Sequence, residues 1–153
     1  MLETALLCLA MNIYHEARGE PLAGQVAVAY VTTSRVEDNR YPDNICDVVK
    51  QGVYWKGNPV RNKCQFSWWC DGKSDIPKNK KDWKKAKEIA KFWLTRNSDS
   101  PLKYRIAFSQ VLTAIDNGIP THYHTTKIKP NWSKKIEYFG VINNHIFYRE
   151  NKL

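Results

Sequence analysis

The 153-residue sequence contains no uninterrupted apolar run near the roughly 20 residues that a membrane-spanning helix requires. Its first apolar segment, residues 5–11, has neither a basic leader before it nor a small-residue cleavage motif after it. These features define a signal peptide, so their absence excludes a recognisable one. We therefore expect a protein that is made in the cytoplasm and does not insert into a membrane.

Acidic residues are also scarce, with 15 Asp and Glu against 24 Lys and Arg and a formal net charge of +9. A charge of this sign favours an acidic partner, either nucleic acid or an anionic polymer such as the bacterial envelope. The sequence contains no nucleic-acid-binding motif, which counts against the first alternative. The lysine-rich run at residues 78–85 indicates the solvated start of a helix, with contact to the polymer as the alternative.

The four cysteines include no C-x-x-C pair and are poorly spaced for structural zinc. A cytoplasmic origin favours free thiols, and we expect Cys8 to lie in the core. Cys64 and Cys70 are close enough in sequence to form a disulfide after release into an oxidising space, and this alternative stays open.

The chain length suits a single domain, residues 1–153, whose core needs no disulfides or metals. Apolar spacing and turn residues predict helices up to Gly19 and over 21–36, 82–95 and 104–115, a short helix capped by Asp43, and a hairpin of 136–142 with 145–148. We therefore expect an α+β fold, mainly α, with five or six helices and a small antiparallel sheet.

Glu16 continues the apolar stripe of the first predicted helix. The stripe consists of Leu2, Leu6, Leu9 and Ile13. Because burial disfavours the charged form of a carboxyl group, an acid at this position is expected to have a raised pKa. Such an acid can donate a proton near neutral pH, as the general acid of a glycosidase does. The alternative is an ion pair with Arg18, Arg35 or another cation.

Between Gly52 and Gly72 the sequence changes to aromatic residues, glycines and short extended pieces. The aromatic rings are flat faces on which sugars can lie, and the alternative is that they belong to the core. They are Tyr54, Trp55, Phe66, Trp68 and Trp69. Gln65 and Ser67 offer neutral hydrogen-bonding groups between the rings, and Gln65 is expected to be a buried amide that needs partners.

His122 and His124 stand at alternate positions of the segment 121–126, so in a strand they face the same side. Two imidazoles on one side can bind zinc, but a zinc site needs a third ligand, and no metal motif includes His15 or His145. We expect no metal or cofactor. The histidines then line a groove or serve the structure.

Several blocks along the chain resemble the bacterial and phage cell-wall hydrolases that include the spore cortex-lytic enzymes. The blocks are EARGEP at 16–21, GQVAVA at 24–29, CQFS at 64–67, THYH at 121–124, PNW at 130–132 and HIFYR at 145–149. The resemblance implies a lysozyme-like single domain with its small sheet beside a cleft, and it makes Glu16 the catalytic acid. Ser34 stands where the family usually has Asn.

The resemblance also implies the substrate, bacterial peptidoglycan, and cleavage between N-acetylmuramic acid and N-acetylglucosamine. It places the segment from His122 to His124 beside the catalytic Glu, so that Tyr123 and the two histidines, with Gln65, Phe66 and Ser67, are predicted to contact substrate. A lytic transglycosylase yielding a 1,6-anhydro product is the expected type, with a muramidase as the alternative. Because no signal peptide is recognisable, the chain is either a fragment of a longer protein or a phage lysin, and we expect a monomeric phage lysin that acts on the wall after release.

A glycosidase with two carboxylates needs them roughly 5 to 9.5 Å apart, and Glu20 and Asp71 are the candidates for the second. With one acid/base alone, the muramic 6-hydroxyl can act as the nucleophile. Two other classes remain open. One is a zinc-dependent amidase using His122 and His124, and the other is a non-catalytic basic module that binds wall polymer or nucleic acid.

Overall fold

The computed structural model describes residues 2–115, 120–125, 127–134, 137–142 and 145–149. The helices are α1 (Leu2–Ala17), α2 (Leu22–Glu37), α3 (Ile45–Val49), α4 (Lys80–Thr95) and α5 (Leu102–Ala114). The strands are β1 (Gly52–Trp55), β2 (Asn58–Cys64), β3 (His122–Thr125), β4 (Glu137–Ile142) and β5 (His145–Arg149). The predicted α+β, mainly helical fold is confirmed. None of the described helices is long and apolar enough to cross a membrane.

The core forms where α1 packs on α4 and α2, and where α2 packs on α5. α2 is buried on almost every side, which explains why a helix carries so many β-branched residues that would also suit a strand. Leu9 and Ile13 of α1 are fully buried, as the apolar stripe predicts. Burial of each such side chain contributes about 1.5–3 kcal/mol, and together they fix the end of α1 in the core.

Helix ends follow the local chemistry of the sequence. α1 stops before Gly19, whose φ of +85° is the left-handed conformation that glycine adopts readily. The predicted cap of α3 is wrong by one residue, because Asn44 rather than Asp43 accepts the hydrogen bond from the Asp47 amide, at 2.9 Å. Asn79 caps α4 in the same way, so that this helix starts two residues before the predicted Asp82.

The strands form two separate antiparallel sheets. β1 and β2 make a hairpin of their own, and β3, β5 and β4 form a three-stranded sheet in that order. The predicted hairpin near the end of the chain is confirmed as the β4–β5 pair, with Ile142 opposite His145. Its turn residues, Asn143 and Asn144, lie outside the described residues.

The prediction of free thiols is wrong, because Cys8 bonds to Cys46 and Cys64 bonds to Cys70. α1 packs against α3, and this packing brings Cys8 and Cys46 to a Cα separation of 5.3 Å although 38 residues separate them in sequence. Spacing in the sequence therefore gave no signal for this pair. The open alternative of a Cys64–Cys70 bridge is the arrangement found.

Replacing Cys64 and Cys70 by serine is expected to lower the free energy of unfolding by about 2 kcal/mol, the loop-closure effect of a six-residue separation. Urea denaturation with and without reductant measures it. With reductant, which also opens the Cys8–Cys46 bond, the double variant and the wild type should have the same denaturation midpoint. An unchanged denaturation midpoint would mean that this bridge does not form in solution.

Candidate active site

Glu16 lies in the last turn of α1 and is partly buried. Burial raises the pKa of its carboxyl group from 4.5 to about 7. The Tyr123 side chain and the Arg35 charge oppose this rise but do not cancel it. A carboxyl group with such a pKa is substantially protonated near neutral pH, which is the state that a general acid requires.

Arg35 is a buried cation on α2 whose charge acts on Glu16. Its Nε donates a hydrogen bond of 2.8 Å to the Thr121 carbonyl, and its guanidinium lies over the rings of Tyr41 and Phe66. An ion pair that governed Glu16 would lower its pKa, yet the pKa is raised because burial outweighs the cation. The raised pKa therefore favours the acid interpretation over the structural ion pair.

Tyr123 on β3 is the side chain that the sheet brings to Glu16. Its hydroxyl is buried and makes no hydrogen bond of standard geometry, although it interacts with the Glu16 carboxyl. Burial, followed by the neighbouring Glu16, raises the pKa of Tyr123 well above its usual value, so the hydroxyl remains a proton donor. A buried donor without a full partner is available to a substrate oxygen or to Glu16.

Tyr123→Phe tests this hydroxyl. Removing the hydroxyl should change the free energy of unfolding by no more than about 1 kcal/mol, while activity should fall about tenfold through loss of one hydrogen bond to Glu16 or to the substrate. The alkaline limb of the pH–rate profile should move to higher pH, because the tyrosine side chain lowers the Glu16 pKa. Unchanged activity and an unmoved alkaline limb would exclude a role for the hydroxyl.

A polar network that the sequence did not reveal holds the end of α1. The buried Asn12 amide donates to Thr32 Oγ1 and its oxygen accepts from Trp68 Nε1, both at 2.9 Å. The His15 ring stacks on Trp68 at 4.5 Å, and its Nε2 lies 2.8 Å from the Asp75 carbonyl oxygen. Asn12 precedes Glu16 by one helical turn, and this spacing was the available signal that Asn12 lies near the site. Its partner Trp68 is 56 residues away in sequence, so the hydrogen bond between them could not be predicted.

The CQFS block alternates between exposed and buried side chains. Gln65 and Ser67 are exposed, so the expectation that the Gln65 side-chain amide is buried is wrong. The Gln65 side chain points outward, while its backbone N–H donates a hydrogen bond of 2.9 Å to the Gln51 carbonyl. Phe66 is buried beneath the Arg35 guanidinium, so its ring offers no open face to a sugar. Contact of Gln65 and Ser67 with substrate stays a prediction.

His122 and His124 share one side of β3, as strand alternation predicts, but Tyr123 occupies the other side. Tyr123 contacts His145, whereas His122 and His124 both contact Trp132. The His122 ring bonds to Thr121 Oγ1 and the His124 ring to the Tyr148 hydroxyl, at 3.0 and 2.8 Å. Whether the two histidines line a groove next to Glu16 stays a prediction.

No cluster of three or more His, Cys, Asp or Glu able to hold a metal ion occurs in the part of the chain that the structure describes. The zinc-amidase alternative, which relied on His122 and His124, gains no third ligand from the described fold.

Neither candidate for the second carboxylate is among the groups that set the Glu16 pKa, which are burial, Tyr123 and Arg35. Glu20 lies 4.0 Å from His145 Nδ1, and Asp71 accepts a hydrogen bond from the Lys73 amide.

Burial lowers the pKa of His145, which favours its neutral form. His145 was not predicted as a site residue, but the antiparallel pairing of β3 and β5 places its ring 5.2 Å from Tyr123.

The fold and the site define a lysozyme-like domain with a partly buried carboxylic acid, Glu16, at the end of its first helix. The chain belongs to the cell wall hydrolase family, which matches residues 19–148. It is therefore an enzyme of the cell-wall-degrading class. Because the match begins just after Glu16, the evidence for that residue is its geometry rather than the match.

Similar proteins agree with this assignment. A 41-residue segment is 49% identical to the spore cortex-lytic enzyme of Halalkalibacterium halodurans; the segment is 27% of this chain and 12% of that relative. The catalytic domain of the germination-specific lytic transglycosylase SleB from Bacillus anthracis superposes with a TM-score of 0.63 at 21% identity, covering 96% of this chain and 95% of that one. The Bacillus cereus SleB catalytic domain gives 0.56 at 20% identity, covering 96% and 91%. At these identities the two structures establish the fold.

Proposed function

We propose that this enzyme cleaves the glycan strand of peptidoglycan between N-acetylmuramic acid and N-acetylglucosamine, with Glu16 as its single general acid/base. The observation that carries the proposal is the Glu16 pKa of about 7 within a member of the cell wall hydrolase family. We propose that the enzyme serves the lysis of a bacterial cell and that it is a phage lysin acting as a monomer. The net charge of +9 suits adhesion to an anionic envelope.

In the proposed reaction, protonated Glu16 gives its proton to the glycosidic oxygen as the bond from muramic C1 to that oxygen breaks. The leaving sugar departs with a free hydroxyl group, and an oxocarbenium-like centre develops at C1. The muramic 6-hydroxyl then bonds to C1 and returns its proton to the Glu16 carboxylate. The product is a 1,6-anhydro sugar, no water is consumed, and Glu16 ends in its starting state.

Arg35 and Tyr123 support this cycle, one through its charge and the other through its hydroxyl group. The Arg35 charge stabilises the Glu16 carboxylate that exists between the two proton transfers, while burial keeps the pKa high enough for the first transfer. The Tyr123 hydroxyl can donate to a sugar oxygen or to the carboxylate. A single acid/base explains the site without Glu20 or Asp71 as a second carboxylate.

Mass spectrometry of purified peptidoglycan digested by the protein tests the proposal. We expect new glycan ends that carry 1,6-anhydromuramic acid. If the new ends are reducing ends, Glu16 still cleaves the glycan strand, but the nucleophile is water rather than the 6-hydroxyl. Free stem peptides with intact glycan strands would instead identify an amidase and overturn the proposal.

A further inference from the structure

The β1–β2 hairpin presents aromatic rings to solvent on both of its faces. Trp55 is 70% exposed and Tyr54 is 43% exposed, and adjacent residues of a strand point to opposite faces. Exposed apolar residues that are close together can mark a binding site. The two rings project from a short segment that neither α1 nor the β3–β5–β4 sheet covers.

The charge of the hairpin is of one sign. Residues 52–64 include Lys56, Arg61 and Lys63 and no Asp or Glu. Lys56 Nζ lies 5.8 Å from the centre of the Trp55 ring, and Lys50 Nζ lies 5.2 Å from that of Trp69. A flat ring with an ammonium group beside it suits a sugar that carries a nearby carboxylate. Peptidoglycan has this chemistry, because acidic stem peptides are attached to its muramic rings.

The hairpin is also joined to the catalytic helix by a continuous series of rings. Trp69 Nε1 donates to the Tyr54 hydroxyl at 2.9 Å, and that hydroxyl donates to the Lys50 carbonyl at 2.6 Å. Trp69 packs edge-on against Trp68 at 5.9 Å, and Trp68 stacks on His15, which precedes Glu16. The hydrogen bonds hold Tyr54 and Trp69 in place, so the hairpin has a defined position relative to Glu16.

The turn of the hairpin keeps a lysine where the backbone favours other residues. Lys56 and Gly57 have φ values of 50° and 81°, the two positive angles of a type I′ turn, for which Asn-Gly is the preferred sequence. Lysine is less suited to this conformation than asparagine, yet its ammonium lies beside the Trp55 ring. Lys56→Asn therefore removes the charge and suits the turn better, which makes it a clean test of the charge.

We propose that the β1–β2 hairpin is a binding platform for the peptidoglycan strand, in addition to the residues around Glu16. Trp55, the more exposed of the two rings, stacks on a sugar ring, and Lys56 pairs with a carboxylate of the stem peptides. The platform rests on the proposed function, since it holds the same polymer whose bond Glu16 cleaves. It would keep the enzyme on a long strand between successive cuts.

The test measures co-sedimentation of the full-length protein with insoluble peptidoglycan from which teichoic acids have been removed. All variants carry Glu16→Gln, so the polymer stays intact during the assay. Trp55→Ala is expected to weaken binding about tenfold, as truncation of an aromatic anchor does. Leu102→Ala, at a 60% exposed apolar residue on α5, is the matched control and should bind like its parent. Equal binding of Trp55→Ala and its parent would overturn the platform.

A second arm separates the sugar from the peptide. Lys56→Asn should weaken binding to strands that carry stem peptides and leave binding to peptide-free strands unchanged, whereas Trp55→Ala should weaken both. If the Trp55 effect appears only on walls that retain teichoic acid, the platform binds that polymer and the inference is wrong. Failure of the proposed function has a different readout, because wild-type digests would then lack new glycan ends whatever the binding results are.

Discussion

Glu16→Gln is expected to lose peptidoglycan-degrading activity by a factor on the order of 10² to 10⁴ while keeping its fold. The amide has the shape of the carboxyl group but cannot give a proton to the leaving oxygen. Activity is measured by release of soluble muropeptides, and the fold by circular dichroism and thermal unfolding. The wild-type rate should itself decline above about pH 7, where Glu16 loses its proton.

Glu20→Gln and Asp71→Asn are the matched controls, because each also turns a carboxyl group into an amide. With a single acid/base, both should remain within about tenfold of the wild-type rate, far above Glu16→Gln. A loss in either control as deep as that of Glu16→Gln would instead identify a two-carboxylate glycosidase. A folded Glu16→Gln variant with more than about a tenth of the wild-type rate would show that Glu16 is not the acid.

Local patterns predicted the position of Glu16 well. The spacing of Leu9 and Ile13 defined the buried face of α1, and Gly19 marked its end, so both the burial of the acid and its place in the last turn could be predicted. The β4–β5 hairpin and α2 followed from similar short-range signals. In each case the information lies within one element and its immediate neighbours.

Pairs that are distant in sequence could not be predicted in this way. The Cys8–Cys46 bond depends on how α1 packs on α3, and the Asn12–Trp68 hydrogen bond depends on where the turn after β2 lies. Alternation placed His122 and His124 together but could not tell which side of β3 faces Glu16, because that is decided by packing against α1 and α2. Tyr123 faces the acid as a result.

The same raised pKa predicts that Glu16 destabilises the fold at neutral and alkaline pH. The folded-state pKa of about 7 lies above the ordinary value of 4.5, so the folded state binds more protons than the unfolded state between these two pH values. The free energy of unfolding therefore falls as pH rises through this window, and the loss is complete above about pH 7. At 1.36 kcal/mol per unit of pKa, the full loss is about 3 kcal/mol.

Glu16→Gln has no such titration and should be more stable than the wild type. We expect the difference in the free energy of unfolding to grow by about 2 to 3 kcal/mol between about pH 5 and about pH 8. Urea denaturation at a series of pH values measures it, with Asp71→Asn as the control for removal of one negative charge. A pH-independent difference would show that Glu16 ionises as it does in water, and the proposed acid would lose its physical basis. The expected trend instead means that the chain keeps a destabilising carboxyl group at the end of α1, which the proposed reaction requires.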